Sequence, residues 1–131
     1  MNRIVIILIV VFASFVSCKK EPGEGGFASI EGKVLLKNYD ATYTILQSEY
    51  YAAGETVYII YGNGTEIGNT VKTSYDGSFK FNYLNKGNYK IYVLGEDPTK
   101  PYLSEPKEEL VEVTISEKKQ KIILDDFVII K

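Results

Sequence analysis

The sequence predicts an all-β fold, arranged as an antiparallel sandwich in which two sheets close on one core. Three observations favour this class. From Phe27 onward, apolar residues recur at every second position, which is the period of a half-buried strand. Turn residues separate these runs, and no segment shows ten or more residues of helical periodicity. Seven such runs fit within about 105 residues, a strand density typical of a sandwich.

The seven predicted strands differ in their burial patterns. In chain order they are residues 30–37, 56–61, 69–74, 78–83, 89–94, 111–116 and 121–130. The second is apolar on both faces, which predicts a central strand, and the third is polar and β-branched, which suits an edge. Phe79 and Phe81 are expected in the core beside Tyr89 and the apolar residues that follow it. Asp125-Asp126 interrupts the last run and predicts a bulge or bend there.

Turn chemistry separates the runs. Gly and Asn supply the positive φ that tight turns need, as in Gly62-Asn63-Gly64 and Asp76-Gly77. Two longer connections, residues 38–54 and 95–109, are predicted as loops. Long loops at the ends of a rigid sandwich are where binding residues usually lie.

Composition excludes several functional classes. The 131 residues include 15 basic and 17 acidic side chains, so no strong positive field favours nucleic acid. Histidine is absent, which removes the commonest general base and metal ligand. A single cysteine allows neither an internal disulfide nor a multi-thiolate metal site. We therefore expect no catalytic residues, no metal, no cofactor and no nucleic-acid partner.

The first 17 residues have the features of a secretory signal. Arg3 precedes thirteen largely apolar residues, 4–16, which are too few to span a bilayer but match the apolar region of a signal peptide. A buried N-terminal strand or helix is the alternative. We predict a signal peptide over residues 1–17.

The end of this segment, Phe15-Val16-Ser17-Cys18, resembles the lipobox of bacterial lipoproteins. The family usually has Leu where Phe15 stands. The resemblance implies cleavage before Cys18 and lipid attachment to its thiol, whereas the alternative is a free or buried thiol. Two or three acyl chains on that residue would give stable membrane anchoring.

Residues 18–26 are predicted as a flexible tether because residues 19–26 (KKEPGEGG) offer no apolar side chain to bury. As a loose coil the tether would span about 16 Å. Lys19 stands where an aspartate would resemble an inner-membrane retention signal, so the outer membrane is favoured. The Lys-Lys-Glu sequence also resembles surface-export signals of lipoproteins from Bacteroides-like bacteria, which leaves the periplasmic and surface leaflets open.

Residues 56–94 resemble a carboxypeptidase-regulatory-like, or transthyretin-like (prealbumin-like), domain. The resemblance rests on VYIIYGNG and TSYDGSFKFNYLNKGNYKIYV, with Ile30-x-Gly32-x-Val34 fitting the first strand of the family. It implies a seven-stranded antiparallel Greek-key β-sandwich over residues 27–131. Such domains are mostly accessory modules of secreted and surface proteins, and none of the motifs of the family is catalytic.

Eleven tyrosines allow a carbohydrate-binding interpretation, because their rings can stack on sugars while the hydroxyl stays hydrated. Five lie in predicted strands and are assigned to packing: Tyr58, Tyr61, Tyr83, Tyr89 and Tyr92. Five lie in predicted loops and are the candidate ligand-binding residues: Tyr39, Tyr43, Tyr50, Tyr51 and Tyr102.

Acidic residues near position 100 match no calcium-loop spacing, so a solvated acidic rim is favoured over a metal site. The sequence therefore favours a non-enzymatic outer-membrane or cell-surface lipoprotein. It would act as a structural or protein-interaction module, anchored in the membrane by lipid, with an envelope protein or a glycan as partner. The alternative is a glycan-binding lipoprotein that uses the loop tyrosines.

Overall fold

The computed structural model describes residues 21–100 and 105–131, which form two β-sheets of five and four strands. The predicted all-β class is confirmed. The signal peptide predicted at residues 1–17 and the predicted lipidation site Cys18 lie outside the described residues. Within the described part of the chain, no helix long and apolar enough to cross a membrane is found.

Nine strands follow one another along the described chain. They are β1 (Glu24–Tyr39), β2 (Leu46–Tyr51), β3 (Thr56–Tyr61), β4 (Ile67–Lys72), β5 (Ser78–Leu84), β6 (Gly87–Glu96), β7 (Pro106–Ile115), β8 (Lys121–Ile123) and β9 (Phe127–Ile130). β1, β5, β6 and β9 show the period-two pattern most clearly, with buried apolar side chains on one face and more exposed residues on the other.

The four-stranded sheet has the order β4-β3-β6-β7 and is antiparallel throughout. The predictions of a central β3 and an edge β4 are confirmed. Tyr58 on β3 stands directly opposite Tyr92 on β6. Because Val57 and Ile59 are buried in the core, Tyr58 between them projects from the outer face.

The five-stranded sheet is organised around β1, which is 16 residues long. The first half of β1 pairs with β5 and β8, and the second half pairs with β2 and β9. Val34 marks the junction: its N–H donates to the Gly77 carbonyl at 2.9 Å, and its own carbonyl accepts the Ala52 N–H at 3.0 Å.

The core lies between the inner faces of the two sheets. It is built mainly from aliphatic and aromatic side chains, with Tyr89 the largest fully buried one. The buried set includes Ile30, Val34, Leu36, Val57, Ile59, Phe79, Phe81, Leu84, Ile91, Val93, Ile115, Phe127 and Ile129. Phe79 and Phe81 therefore lie in the core, as predicted. Gly32 opposes Phe79 without a side chain, since a Cβ there would lie 2.9 Å from the Phe79 ring.

Strand number and direction differ from the prediction of seven antiparallel strands. The described residues form nine strands, and β8 and β9 both run parallel to β1. One extra strand, β2, forms inside the connection 38–54 that was predicted as a loop. The other arises because the last predicted strand divides around residues 124–126, at the predicted bend. Alternation identifies strands but carries no information on which partner they pair with, or in which direction.

Tyr83 also departs from its predicted packing role. Its side chain is 72% exposed and its φ is +59°, while Leu84 takes the buried position. The register shifts at this point, since Ala28 opposes Leu84 and Ile30 opposes Phe81. Between these two pairs β1 moves by two residues and β5 by three. The extra residue of β5 forms a β-bulge, which turns the Tyr83 ring outward.

Residues 21–26, which were predicted to belong to the flexible tether, are attached to the fold. β1 begins at Glu24, inside the segment predicted as a tether, and the Glu21 carbonyl accepts a hydrogen bond from Asn85 Nδ2 at 3.2 Å. Gly25, with a φ of +112°, lies in this first part of β1. Glycine tolerates this conformation, which lets the chain join the sheet despite its lack of apolar side chains.

Candidate functional site

Four of the five predicted ligand-binding tyrosines lie within the described residues, all of them on β1, β2 and the turn that joins these two strands. Tyr39 ends β1, Tyr43 lies in the turn that follows, and Tyr50 and Tyr51 end β2. Tyr102 lies outside the described residues. The structure therefore places three of the five in strands rather than loops.

Tyr50 and Tyr51 cannot share one binding surface. Tyr50 opposes the buried Leu36 and Tyr51 opposes Leu35, so the two rings project from opposite faces of the sheet. Tyr50 is 51% exposed and Tyr51 is 42% exposed. A sugar stacked on one ring would not contact the other.

Tyr51 is held in place on the outer face of the five-stranded sheet. Its hydroxyl donates to Asp126 Oδ2 at 2.7 Å, and the Lys33 ammonium lies 5.0 Å from the ring centroid. The hydrogen bond to the carboxylate raises the pKa of Tyr51, because it stabilises the protonated phenol. The ring thus has a fixed orientation, as a stacking platform requires.

A cleft of about 550 Å³ adjoins Tyr51, since both Lys33 and Asp126 line it. It lies between β1 and β5 on one side and the end of β4 on the other, with Gly32 and Phe79 among its lining residues. Its charged lining residues are Glu31, Lys33, Lys72, Lys80 and Asp126. Glu31 and Lys80 lie 3.8 Å apart as an exposed ion pair. Ammonium donors and carboxylate acceptors are therefore both available to a polar ligand.

Tyr43 is engaged within the protein. It has a φ of +56°, and its hydroxyl donates to Glu96 Oε2 at 2.6 Å, which raises the pKa of Tyr43. The turn around it is fixed by Asp40, whose Oδ1 accepts the N–H groups of Thr44 and Ile45 at 2.9 and 3.0 Å. These hydrogen bonds lower the pKa of Asp40. Tyr43 therefore joins the β1–β2 turn to the end of β6.

A second aromatic surface lies on the outer face of the four-stranded sheet. The rings of Tyr58 and Tyr92 stack with centroids 4.7 Å apart and planes within 9° of parallel. Ile60 pairs with Ile67 on one side of them, and Tyr92 pairs with Leu110 on the other. We call this group, with Leu94, the tyrosine stripe. Ile67 and Leu110 are exposed, and the two rings are half-buried.

The strand tyrosines have several roles, although packing was the predicted role of all of them. Tyr89 is buried, and Tyr61 packs edge-on against it with ring centroids 5.9 Å apart. Tyr58 and Tyr92 lie on the outer face instead. Their outward position could be predicted from the sequence, because each stands between two apolar core residues and alternate residues of a strand face opposite sides of the sheet. Which strands would pair, and hence which rings would stack, was not visible.

The cleft residues were also missed, for a different reason. Alternation places Glu31 and Lys33 on the wet face of the first strand, as predicted. Asp126, however, comes next to them through the pairing of β8 and β9 with β1, which joins segments about 90 residues apart. Among the described residues, no group of three or more acidic, Cys or His side chains is placed to hold a metal ion.

Comparison with known proteins adds little to this description. Neither the protein-family models nor the curated proteins give a match. Five chains of solved structures match. One, from Pseudomonas aeruginosa, is described from its crystal structure as a candidate carbohydrate-binding protein. It is 13% identical, and the alignment covers 86% of this chain and 94% of that one with a TM-score of 0.44. A likeness of this degree carries no inference to the present chain.

Proposed function

We propose that this chain is a non-enzymatic lipoprotein of the outer membrane, with a transthyretin-like Greek-key β-sandwich that acts as a structural or protein-interaction module. The anchoring part rests on the lipobox-like sequence that ends in Cys18. The interaction part rests on the tyrosine stripe, where a stacked tyrosine pair and neighbouring aliphatic residues contact solvent on a sheet face. Apolar surface of this kind, bordered by polar residues, is typical of protein-binding sites.

The anchor is tested by Cys18→Ala in the full-length chain. We expect the variant to be released from the outer membrane or to accumulate uncleaved, because the acyl chains supply the membrane affinity. Mass spectrometry of the purified native protein should show lipid on Cys18 and cleavage before it. An unmodified thiol, or unchanged fractionation of the variant, would refute lipid anchoring.

The interaction surface is tested by photo-crosslinking in intact cells. A crosslinking amino acid replaces Leu110 in the tyrosine stripe, and a matched control replaces Val128, a similarly exposed aliphatic residue on the outer face of the other sheet. We expect one discrete adduct from position 110 that is lost when Tyr92→Ala is added, because truncation removes half of the stacked pair. Equal adducts from both positions, or none from position 110, would exclude the tyrosine stripe as an interface.

Glycan binding at the cleft is a second candidate function, favoured by the fixed Tyr51 ring beside Lys33 and Asp126. Aromatic stacking with polar groups at the rim is a common arrangement for sugar recognition. In calorimetric titration with a panel of envelope glycans, Tyr51→Ala should abolish binding while Tyr51→Phe retains part of it. Tyr50→Ala, on the opposite face, is the control. An absence of binding by the unmutated protein across the panel would reject this candidate.

A further inference from the structure

The first described residues are fixed to one end of the fold by a hydrogen-bonded clasp. Asn85 Nδ2 donates to the carbonyls of Glu21 and Glu24 at 3.2 and 3.1 Å, and the Asn85 N–H donates to the Gly23 carbonyl at 2.8 Å. The Gly23 N–H donates in turn to the buried Tyr89 hydroxyl at 2.9 Å. The chain is therefore attached to the folded domain from Glu21 onward, not from Phe27.

This clasp limits how far the domain can stand from the residue to which we assign the lipid. Cys18 precedes Glu21 by three residues, and three peptide units reach at most about 11 Å in any conformation. The limit rests on the proposed anchor at Cys18. A flexible coil of nine residues would have let the domain tumble relative to the membrane. A separation of at most about 11 Å instead keeps this end of the domain next to the lipid-bearing residue.

Three turns lie beside the clasp and form what we call the anchor end of the molecule. They are residues 62–66, 85–86 and 116–120, which follow β3, β5 and β7. Their positions are fixed by the pairs Tyr61↔Tyr89 and Gly87↔Ile115, and by the hydrogen bond from the Ser29 N–H to the Gln120 carbonyl at 2.9 Å.

The anchor end exposes two aromatic rings to solvent. Phe27 is 60% exposed and Tyr83 is 72% exposed, and they adjoin Ala28 and Leu84, which pair across β1 and β5. Lys118 extends over the Phe27 ring, with its ammonium 5.2 Å from the centroid. Exposed aromatic rings with lysines beside them are characteristic of protein surfaces that meet a membrane interface.

We infer that the anchor end is a lipid-facing surface, held against the leaflet that carries the acyl chains. The occupant is the bilayer surface itself, because the clasp leaves too little chain for a protein to stand between. Exposed Lys86, Lys118 and Lys119 are offset by the exposed acidic residues Glu21, Glu24, Glu66 and Glu117 at the same end, so contact does not require anionic lipid. Tyr51 then faces away from the membrane, about 30 Å further along β1.

Two exposed tyrosines at opposite ends of the molecule provide a reporter and a reference within the same protein. Tyr83 lies at the anchor end, and Tyr75, which is 99% exposed, lies in the β4–β5 turn at the other end of β5. The lipidated full-length protein is placed in nanodiscs of phosphatidylethanolamine and phosphatidylglycerol and exposed to hydroxyl radicals. The matched variant carries about twenty Gly and Ser residues inserted between Lys20 and Glu21, which adds a coil of about 25 Å.

We expect Tyr83 to be oxidised at least about threefold more slowly in the native-length protein than in the insertion variant, because its ring lies at the lipid interface. Tyr75 should be oxidised at the same rate in both. Equal rates of Tyr83 oxidation in the two proteins would overturn the inference. Two fast rates would mean that the ring is exposed in both proteins, and two slow rates would mean that something other than the membrane, such as a second copy of the chain, covers it in both. Failure of both proteins to enter nanodiscs would instead refute the anchor at Cys18.

Discussion

Tyr83 and Tyr89 are six residues apart, on consecutive strands that belong to different sheets, and their environments are opposite. Tyr83 is turned outward by a bulge, whereas Tyr89 is buried and uses its hydroxyl to hold Gly23 and, at 2.7 Å, the Asn85 carbonyl. Both were assigned to packing from the sequence. A tyrosine has an apolar ring and one polar atom, so its role is decided by which groups its hydroxyl can reach.

Replacement of Tyr89 by Phe should therefore lower the free energy of unfolding by about 1–3 kcal/mol, since the buried Gly23 N–H loses its acceptor. Urea denaturation measures the effect. Tyr58→Phe, on the half-exposed outer face, is the matched control and should change stability by less than about 0.5 kcal/mol. Equal losses in the two variants would mean that the clasp hydrogen bond contributes nothing.

At the scale of elements, β1 connects most of the five-stranded sheet. Its apolar alternation from Ile30 to Leu36 was evident in the sequence, and so was a bulge or bend at Asp125-Asp126, where the structure divides the last predicted strand into β8 and β9. That β8 and β9 would both pair with β1, in parallel, was not evident. Such pairing depends on contacts between distant segments, and the local pattern of either segment is the same for any partner.

The pairing of β9 is tested by two adjacent residues. Phe127 is buried against Phe79, with ring centroids 5.8 Å apart, whereas Val128 faces outward beside Leu35. Phe127→Ala should lower the free energy of unfolding by about 3–5 kcal/mol through the cavity it leaves. Val128→Ala should cost less than about 1 kcal/mol. The reverse order in urea denaturation would show that β9 presents its other face to the core.

At the scale of the whole molecule, stability is expected to depend on pH in alkaline solution. Burial raises the pKa of Tyr89 and of Tyr61 above the ordinary value for tyrosine. Unfolded tyrosines lose their protons near about pH 10, while the folded protein retains these two. The unfolded state then binds fewer protons, so stability falls as the pH rises above that value.

The urea midpoint should accordingly stay level up to about pH 9 and fall towards about pH 11. Tyr61→Phe should make the fall shallower, because one of the shifted groups is gone. A midpoint that rises over this interval, or an unchanged slope in the variant, would contradict the assignment.

The sequence by itself determined the all-β class, the central β3, the edge β4 and most of the core, because burial of one face imposes a period of two on the residues. Only the tertiary structure decided which tyrosines stack and that Asp126 meets Tyr51 and Lys33. It likewise decided that the chain is attached to the fold from Glu21. Each of these depends on the register between segments far apart in the chain, and register is set by the packing of the whole core.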